Sequence, residues 1–229
     1  MTRRTRWFCP PVLLYVLLVH FTSGAALANW AAGHRIGQAV SREKILEAEQ
    51  RLSTLGYWTG PIDGVFDSAS RHALVAFQKV EGRKRTGKLT TSELEALRTA
   101  VAPLPQHTGY FHVEIDLHRQ VLFVVDESNA VTHILPVSTG NDKFYMDHGQ
   151  VHRAHTPRGQ FKVLRKIHGT RISSLGLLYY PNYIHRGIAI HGSWAVKVYP
   201  DSHGCIRIPM FAAKRFSELV PLQTKVIVY

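Results

Sequence analysis

Phe111-His112-Val113-Glu114-Ile115-Asp116-Leu117-His118-Arg119-Gln120-Val121-Leu122-Phe123-Val124-Val125 is the stretch on which the fold turns. Its first half alternates apolar and polar residues at period two, the pattern of a strand with one face on a core. Its second half is an unbroken apolar run, and His118-Arg119 between the halves reads as a tight turn. Asp126-Glu127-Ser128-Asn129 then turns the chain into a third run, 131–137. Strand-like runs recur at 159–164, 187–190 and 225–229, and one amphipathic helix over 210–219 follows Pro209. The C-terminal half is expected to be mostly β with a single packed helix.

Upstream of this stretch the period is helical. Ile45, Ala48, Leu52 and Leu55 recur at three- and four-residue steps and stop at Gly56. Gly60-Pro61-Ile62-Asp63-Gly64 is turn chemistry, and Asp67 or Ser68 can cap a second helix with Ala73, Leu74 and Phe77 on one face. Thr90-Thr91-Ser92-Glu93 is a capping box for a third, with Leu94 and Leu97 inward. Val101-Ala102-Pro103-Leu104-Pro105-Gln106 reads as a linker. The expected organisation is a leader (1–28), an N-terminal extension (29–40), a three-helix domain folding separately (41–100), a linker (101–107) and a mostly β domain (108–229), giving an α+β chain.

The leader carries an address. Met1-Thr2-Arg3-Arg4-Thr5-Arg6 is basic, 12–21 is rich in Leu and Val, and Ala26-Leu27-Ala28 sets small residues before a cut at Asn29. The apolar run is too short and interrupted for a span of about 20 residues. Export to a periplasm or cell wall is expected, with membrane attachment only through an uncleaved leader. Cleavage also removes Cys9, leaving Cys205 as a lone thiol without a disulfide partner. The formal charge of +12 becomes +9 once Arg3, Arg4 and Arg6 are gone. A basic exported chain favours anionic partners, here the carboxylates and polyanions of a wall rather than nucleic acid.

Cys205 stands in Ser202-His203-Gly204-Cys205-Ile206-Arg207, with Ile190-His191-Gly192-Ser193 upstream. A thiol of pKa about 8.5 is only slightly ionised at neutral pH, so a cysteine nucleophile needs an imidazole or electropositive surroundings. His191 ends an apolar run and turns at Gly192, a geometry that can aim its ring across a loop at the thiol. It is the candidate base. His203, two residues from Cys205, is the rival, but near-neighbour geometry disfavours an in-line hydrogen bond. No acid lies close in sequence to orient His191, which leaves a backbone carbonyl for that task. The amides of Gly204 and Cys205 can form an oxyanion hole worth about 3 kcal/mol in a transition state. Arg207 suits a substrate carboxylate through a bidentate fork.

Two resemblances follow. Gln50, Leu52, Leu55-Gly56-Tyr57, Gly60, Asp63-Gly64, Ala73, Phe77-Gln78, Gly87 and Thr91 with Leu94 make the helical segment resemble the repeat-type peptidoglycan-binding domain. Phe66-Asp67-Ser68 departs from that pattern, where glycine and a threonine cap are usual. The resemblance implies wall binding, with Tyr57 and Trp58 as sugar-stacking residues. Ser138-Thr139-Gly140, Thr156-Pro157-Arg158-Gly159-Gln160-Phe161, His191-Gly192 and the 202–207 motif, in that order, make residues 109–229 similar to the L,D-transpeptidase catalytic domain. That resemblance implies a sandwich-like fold and an exported enzyme forming 3→3 cross-links between peptidoglycan stem peptides through a cysteine thioester. It implies Cys205 as nucleophile, His191 as proton donor and acceptor, the Gly192 carbonyl orienting it, and His203 in support. Gly204 would supply an oxyanion amide, and Arg207 and Ser202 would contact substrate. No cofactor or metal is implied, and carbapenem-type β-lactams are the expected inhibitors.

Other readings remain open at this stage. An L,D-carboxypeptidase would cut the same bond and pass the acyl group to water, and a non-catalytic wall-binding protein would need no thiol. A zinc peptidase using His191, His203 and Cys205 lacks a catalytic carboxylate at suitable spacing. The insertion 141–155, with His148, His152 and His155, is read as a solvated histidine-rich loop, since no metallopeptidase spacing accompanies it.

Overall fold

The computed structural model describes residues 40–229; the leader and the extension up to residue 39 lie outside them. Among the described residues no helix is long and apolar enough to cross a membrane.

Three helices come first: α1 (Arg42–Thr54), α2 (Ser68–Val80) and α3 (Thr91–Thr99). α1 stops because Gly56 takes φ +88°, and the Tyr57 amide donates back to the Leu52 carbonyl at 2.9 Å, closing the helix end. Asp67 caps α2, its carboxylate accepting the Ala69 and Ser70 amides at 2.8 and 2.9 Å. Thr90 Oγ1 accepts the Glu93 amide at 3.2 Å, while the Glu93 carboxylate turns to Arg83 Nε instead of closing a box. Asp63 braces only the Val65 amide. The larger brace is Glu49, fully buried, which accepts the Asp63 and Gly64 amides and the Ser70 hydroxyl.

The β half has twelve strands: β1 (His112–Asp116), β2 (Val121–Val125), β3 (Val131–Pro136), β4 (Phe144–Asp147), β5 (Gln150–Arg153), β6 (Gly159–Lys162), β7 (Arg165–Lys166), β8 (Thr170–Ser173), β9 (Gly176–His185), β10 (Ile188–Ser193), β11 (Ile206–Pro209) and β12 (Lys225–Val228), with α4 (Met210–Leu219) before the last. One five-stranded sheet has the order β3-β2-β1-β12-β6; the other runs β11-β10-β9-β7, with β8 also on β9. The main core joins both sheets and α4: Val113, Leu122, Leu135, Ile190, Ile206, Ile208, Phe216 and Val226 are all buried in it. Ser138, just past β3, exchanges backbone hydrogen bonds with Arg207 at 3.0 and 3.1 Å and so couples the first sheet to β11.

The insertion read as a loop is a hairpin, because Phe144-Tyr145-Met146-Asp147 pairs residue for residue with Gln150-Val151-His152-Arg153. The long β9 was not expected at all. Tyr180 has φ +48° and Pro181 has no amide hydrogen, so β9 pairs β8 on one side of this break and β7 on the other.

The helical unit, expected to fold separately, packs its core directly onto the sheet. Leu52, Leu74, Phe77 and Leu97 share one buried cluster with Val121, Phe123 and Val125 of β2 and Ile134 of β3. β2 is buried on both faces, and the helices cover the face turned from the main core. Lys79 of α2, buried, donates to the Gln120 and Val137 carbonyls at 3.0 and 2.8 Å. The linker is held too: the Gln106 and His107 amides donate to the Glu114 carboxylate at 3.0 and 2.7 Å.

Candidate active site

β10 and β11 run parallel with Ile190 opposite Ile206, so His191 on β10 and Cys205, just before β11, open onto one cleft of about 620 Å³. Its lining carries Arg165, Arg171, Arg186 and Arg207 against a single acid, Asp147. The field in this concavity favours anionic ligands.

His191 is 5% exposed and its Nδ1 lies 2.9 Å from the Gly192 carbonyl. A carbonyl only accepts, so Nδ1 carries the hydrogen and Nε2 keeps its lone pair. Burial pulls the imidazole from 6.5 to about 4; the Gly192 bond opposes this shift and the Arg207 charge adds to it. Gly192 has no room for a side chain, since a Cβ there would stand 2.6 Å from Ala213 of α4. Burial likewise pushes the Cys205 thiol up, against the Ala189 amide, which donates to Sγ at 3.4 Å, and against Arg207. The thiol also reaches the Gly187 carbonyl at 3.8 Å; His191 is not among its hydrogen-bond partners. The resting pair is therefore a neutral thiol and a neutral imidazole in one cleft.

Several expected roles change. Ser202 is 1% exposed, and its hydroxyl donates to the Cys205 carbonyl at 2.6 Å while accepting the Gly204 amide at 3.0 Å. It ties the loop, and its one hydrogen is committed to the backbone. The same bond commits the Gly204 amide, which removes it as an oxyanion donor; the Cys205 amide has no hydrogen-bond partner among the described residues. Gly204 itself, at φ +129°, packs where a Cβ would sit 2.9 Å from the His155 carbonyl oxygen, and its own carbonyl accepts Thr156 Oγ1 at 2.6 Å. Arg207 lines the cleft, with Nη1 on the Asp201 carbonyl at 3.1 Å. His203 is exposed, its ring 4.6 Å from that of Tyr145 on β4.

The role of Tyr57 is also corrected. Tyr57 is 2% exposed and edge-on to Phe77, which leaves it no face for a sugar, while Trp58 is half-buried against the main core and the His133 ring. In the 141–155 insertion, His155 Nδ1 meets Asp142 at 2.8 Å and the His152 ring lies 5.6 Å from Tyr145.

Sequence reasoning missed the cleft walls, namely Tyr145 and Asp147 on the β4–β5 hairpin, Arg171 on β8 and Arg186 after β9; Trp194 lines the cleft as well. Also missed was Gln120, whose side chain grips the Thr139 amide at 2.9 Å and the Thr139 hydroxyl at 2.7 Å. The Thr139 carbonyl in turn accepts the Asp201 and Ser202 amides, both at 2.9 Å, and so supports the loop bearing Cys205.

A thiol and an imidazole with a fixed tautomer in a basic cleft can take an acyl group onto sulfur while the imidazole receives the proton. Residues 110–228 match the family described as L,D-transpeptidase catalytic domain, and residues 41–97 match a peptidoglycan binding domain. Comparison with curated proteins gives no match. Among solved structures, an L,D-transpeptidase from Xylanimonas cellulosilytica is 36% identical, covering 81% of this chain and 93% of that one with a TM-score of 0.77. An L,D-transpeptidase from Stackebrandtia nassauensis is 22% identical over 82% of this chain and 91% of that one, TM-score 0.47. L,D-transpeptidase 3 from Mycobacterium tuberculosis, solved with a faropenem-derived adduct, is 19% identical over 52% of this chain and 59% of that one, TM-score 0.43. With its catalytic region matched over more than half its length, this chain belongs to the L,D-transpeptidase family.

Proposed function

We propose that the protein is exported and forms 3→3 cross-links in peptidoglycan through a thioester on Cys205. The observation that carries this reading is the meeting of Cys205, His191 and Arg207 in one cleft of four guanidinium groups and one carboxylate. Cys205 Sγ attacks the carbonyl of the third residue of a donor stem, and His191 Nε2 takes the thiol proton. The amide to the terminal D-alanine breaks, and His191 returns the proton to the leaving amine. An amine of a second stem then attacks the thioester, which restores the thiol. The Cys205 amide faces the oxyanion, and Arg207 with the other guanidiniums draws the carboxylate-bearing stem. Because both groups rest neutral, the proton moves as sulfur attacks rather than beforehand.

The helical unit supplies wall binding in this reading. With Tyr57 buried, its open groove of about 610 Å³, bordered by Phe66, Asp67, Arg71 and Lys88, is the surface we assign to wall material. Mass spectrometry of purified tetrapeptide muropeptides incubated with the protein tests the reaction. The expected product is a 3→3 dimer with loss of D-alanine, absent with Cys205→Ala, and a single lactam adduct per chain. Tripeptide without dimer makes the protein a carboxypeptidase; turnover by Cys205→Ala removes the thioester mechanism.

A further inference from the structure

Away from the cleft, where the linker meets β1, three ligand-type atoms converge: His107 Nδ1, His112 Nε2 and Glu114 Oε1, all within 4.8 Å of one another. His112 and Glu114 are 0% and 1% exposed, so water does not serve them.

The hydrogen-bond pattern sets two imidazole nitrogens competing for one carboxylate oxygen. His112 Nδ1 lies 2.7 Å from the Tyr110 carbonyl, which can only accept, so that nitrogen carries a hydrogen. In a neutral ring Nε2 is then a lone pair, and it faces Glu114 Oε1, another acceptor, at 3.1 Å. Oε1 also takes the His107 amide at 2.7 Å, which uses one of its two lone-pair directions. Oε2 is engaged by the Gln106 amide at 3.0 Å and the Tyr229 hydroxyl at 3.4 Å. One direction on Oε1 is left, yet two imidazole nitrogens aim at it, the second being His107 Nδ1 at 3.2 Å. A proton can satisfy one of them. A metal ion among the three atoms satisfies all at once.

The geometry points to a zinc-class divalent metal site made of His107 Nδ1, His112 Nε2 and Glu114 Oε1. The two separations from Glu114 Oε1, 3.1 and 3.2 Å, are close to the edge of about 3.3 Å in a tetrahedron with bonds of about 2.0 Å, and the two imidazole nitrogens lie within 4.8 Å of each other. The His112 Nδ1–H bond to a carbonyl is the outer contact that commonly fixes a metal-bound imidazole. The His107 side chain is 36% exposed, which gives the ion an entry path and leaves the fourth position to solvent. Two neutral imidazoles and one carboxylate are a borderline-hard donor set that suits Zn²⁺ or Co²⁺ over Mg²⁺. The ion would tie the linker residue His107 to β1 and, through Glu114, to the C-terminal Tyr229.

The test uses the untagged full chain carrying Cys9→Ala and Cys205→Ala, so that no thiol competes, stripped with chelator and dialysed against buffered Co²⁺. One Co²⁺ per chain is expected, with visible d–d absorption of a low-coordinate nitrogen and oxygen site, displaced by Zn²⁺. His107→Ala alters a half-exposed residue and should weaken binding by more than about 10-fold with its far-ultraviolet spectrum intact. Glu114→Gln keeps an acceptor for the two amides and should weaken it similarly, while His152→Ala on the β4–β5 hairpin should change nothing. A chain that holds no Co²⁺ overturns the proposal and leaves a proton alone between His112 and Glu114. Binding unaffected by His107→Ala, or abolished by His152→Ala, overturns it as well.

Discussion

Burial leaves His191 neutral across the physiological range, with Nδ1–H held by the Gly192 carbonyl, so its working atom is the Nε2 lone pair. Under the proposed mechanism the acid limb of kcat/KM then falls near pH 4 rather than near the ordinary 6.5. Alkylation of Cys205 by iodoacetamide should instead keep rising with pH beyond the usual thiol range, because burial holds its thiolate back. A pH–rate profile and an alkylation series check both; an acid limb near 6.5 means the base is another histidine. The same depression has a consequence for stability. Between 6.5 and about 4 the unfolded chain binds a proton that folded His191 does not, and His72 of α2, also pulled by burial to about 4, behaves alike. Stability should therefore drop as pH falls through that window, read from urea midpoints. Cys205 and His191 stood out in the sequence as a lone thiol beside glycine and histidine, and the fold brings both to one cleft. Ser202 was not, because its loop closure decides whether a hydroxyl faces substrate or the backbone. Ser202→Ala should lower kcat about 10-fold or more through a loosened loop while a lactam still titrates one thiol per chain, since one buried hydrogen-bonded hydroxyl is worth about 1–3 kcal/mol.

Elements that announce themselves by period were legible, and those made by pairing were not. β1 to β3 alternate or run apolar over lengths that local sequence can reveal, and the three helices each carry a stop or a cap. β4, β5 and β8 are short and largely exposed, so no apolar face marks them, and β9 contains a proline. Yet β4, β8 and β9 wall the cleft. Tyr145 meets His203 across it, and loss of that ring should act on binding: Tyr145→Ala is expected to raise KM about 5-fold, the equivalent of about 1 kcal/mol, with kcat little changed. Steady-state kinetics on a muropeptide donor separates the two. Between helix and sheet, Lys79 is the element-scale device. Burial brings its ammonium from 10.5 to about 7 although two carbonyls accept from it. The unfolded chain holds the proton through this window while the folded chain releases it, so Lys79 should make stability rise from pH 7 towards 10 by up to several kcal/mol. Chemical denaturation of wild type and Lys79→Met at both pH values isolates the effect: the difference between the proteins should change with pH, and parallel behaviour excludes it.

At the scale of the molecule, the unit of stability is wider than either sequence pattern. Val121-Leu122-Phe123-Val124-Val125 reads as a strand in any case, but five apolar residues in a row also mean that both faces need cover. Nothing local says what covers the second face, since the partners lie on α1 and α2 some fifty residues earlier in the chain. This is why a helical domain folding alone looked reasonable, and why its core proves to be shared. Removing residues 41–100 would bare Val121, Phe123, Val125 and Ile134, each now at most 2% exposed. At about 2 kcal/mol per side chain this approaches the whole stability of an ordinary domain. The truncated chain should therefore bind a hydrophobic dye, aggregate, and lose the sharp near-ultraviolet signal and the stoichiometric lactam adduct together. Cutting the linker is a different operation. Val101 and Leu104 are 80% and 87% exposed, so a protease site placed there should be cleaved readily. Because the shared core and the Lys79 bonds do not depend on that peptide, the two fragments should co-elute as one species and keep their activity. Fragments that separate on gel filtration in native buffer would show that the helices and the sheet are independent bodies after all.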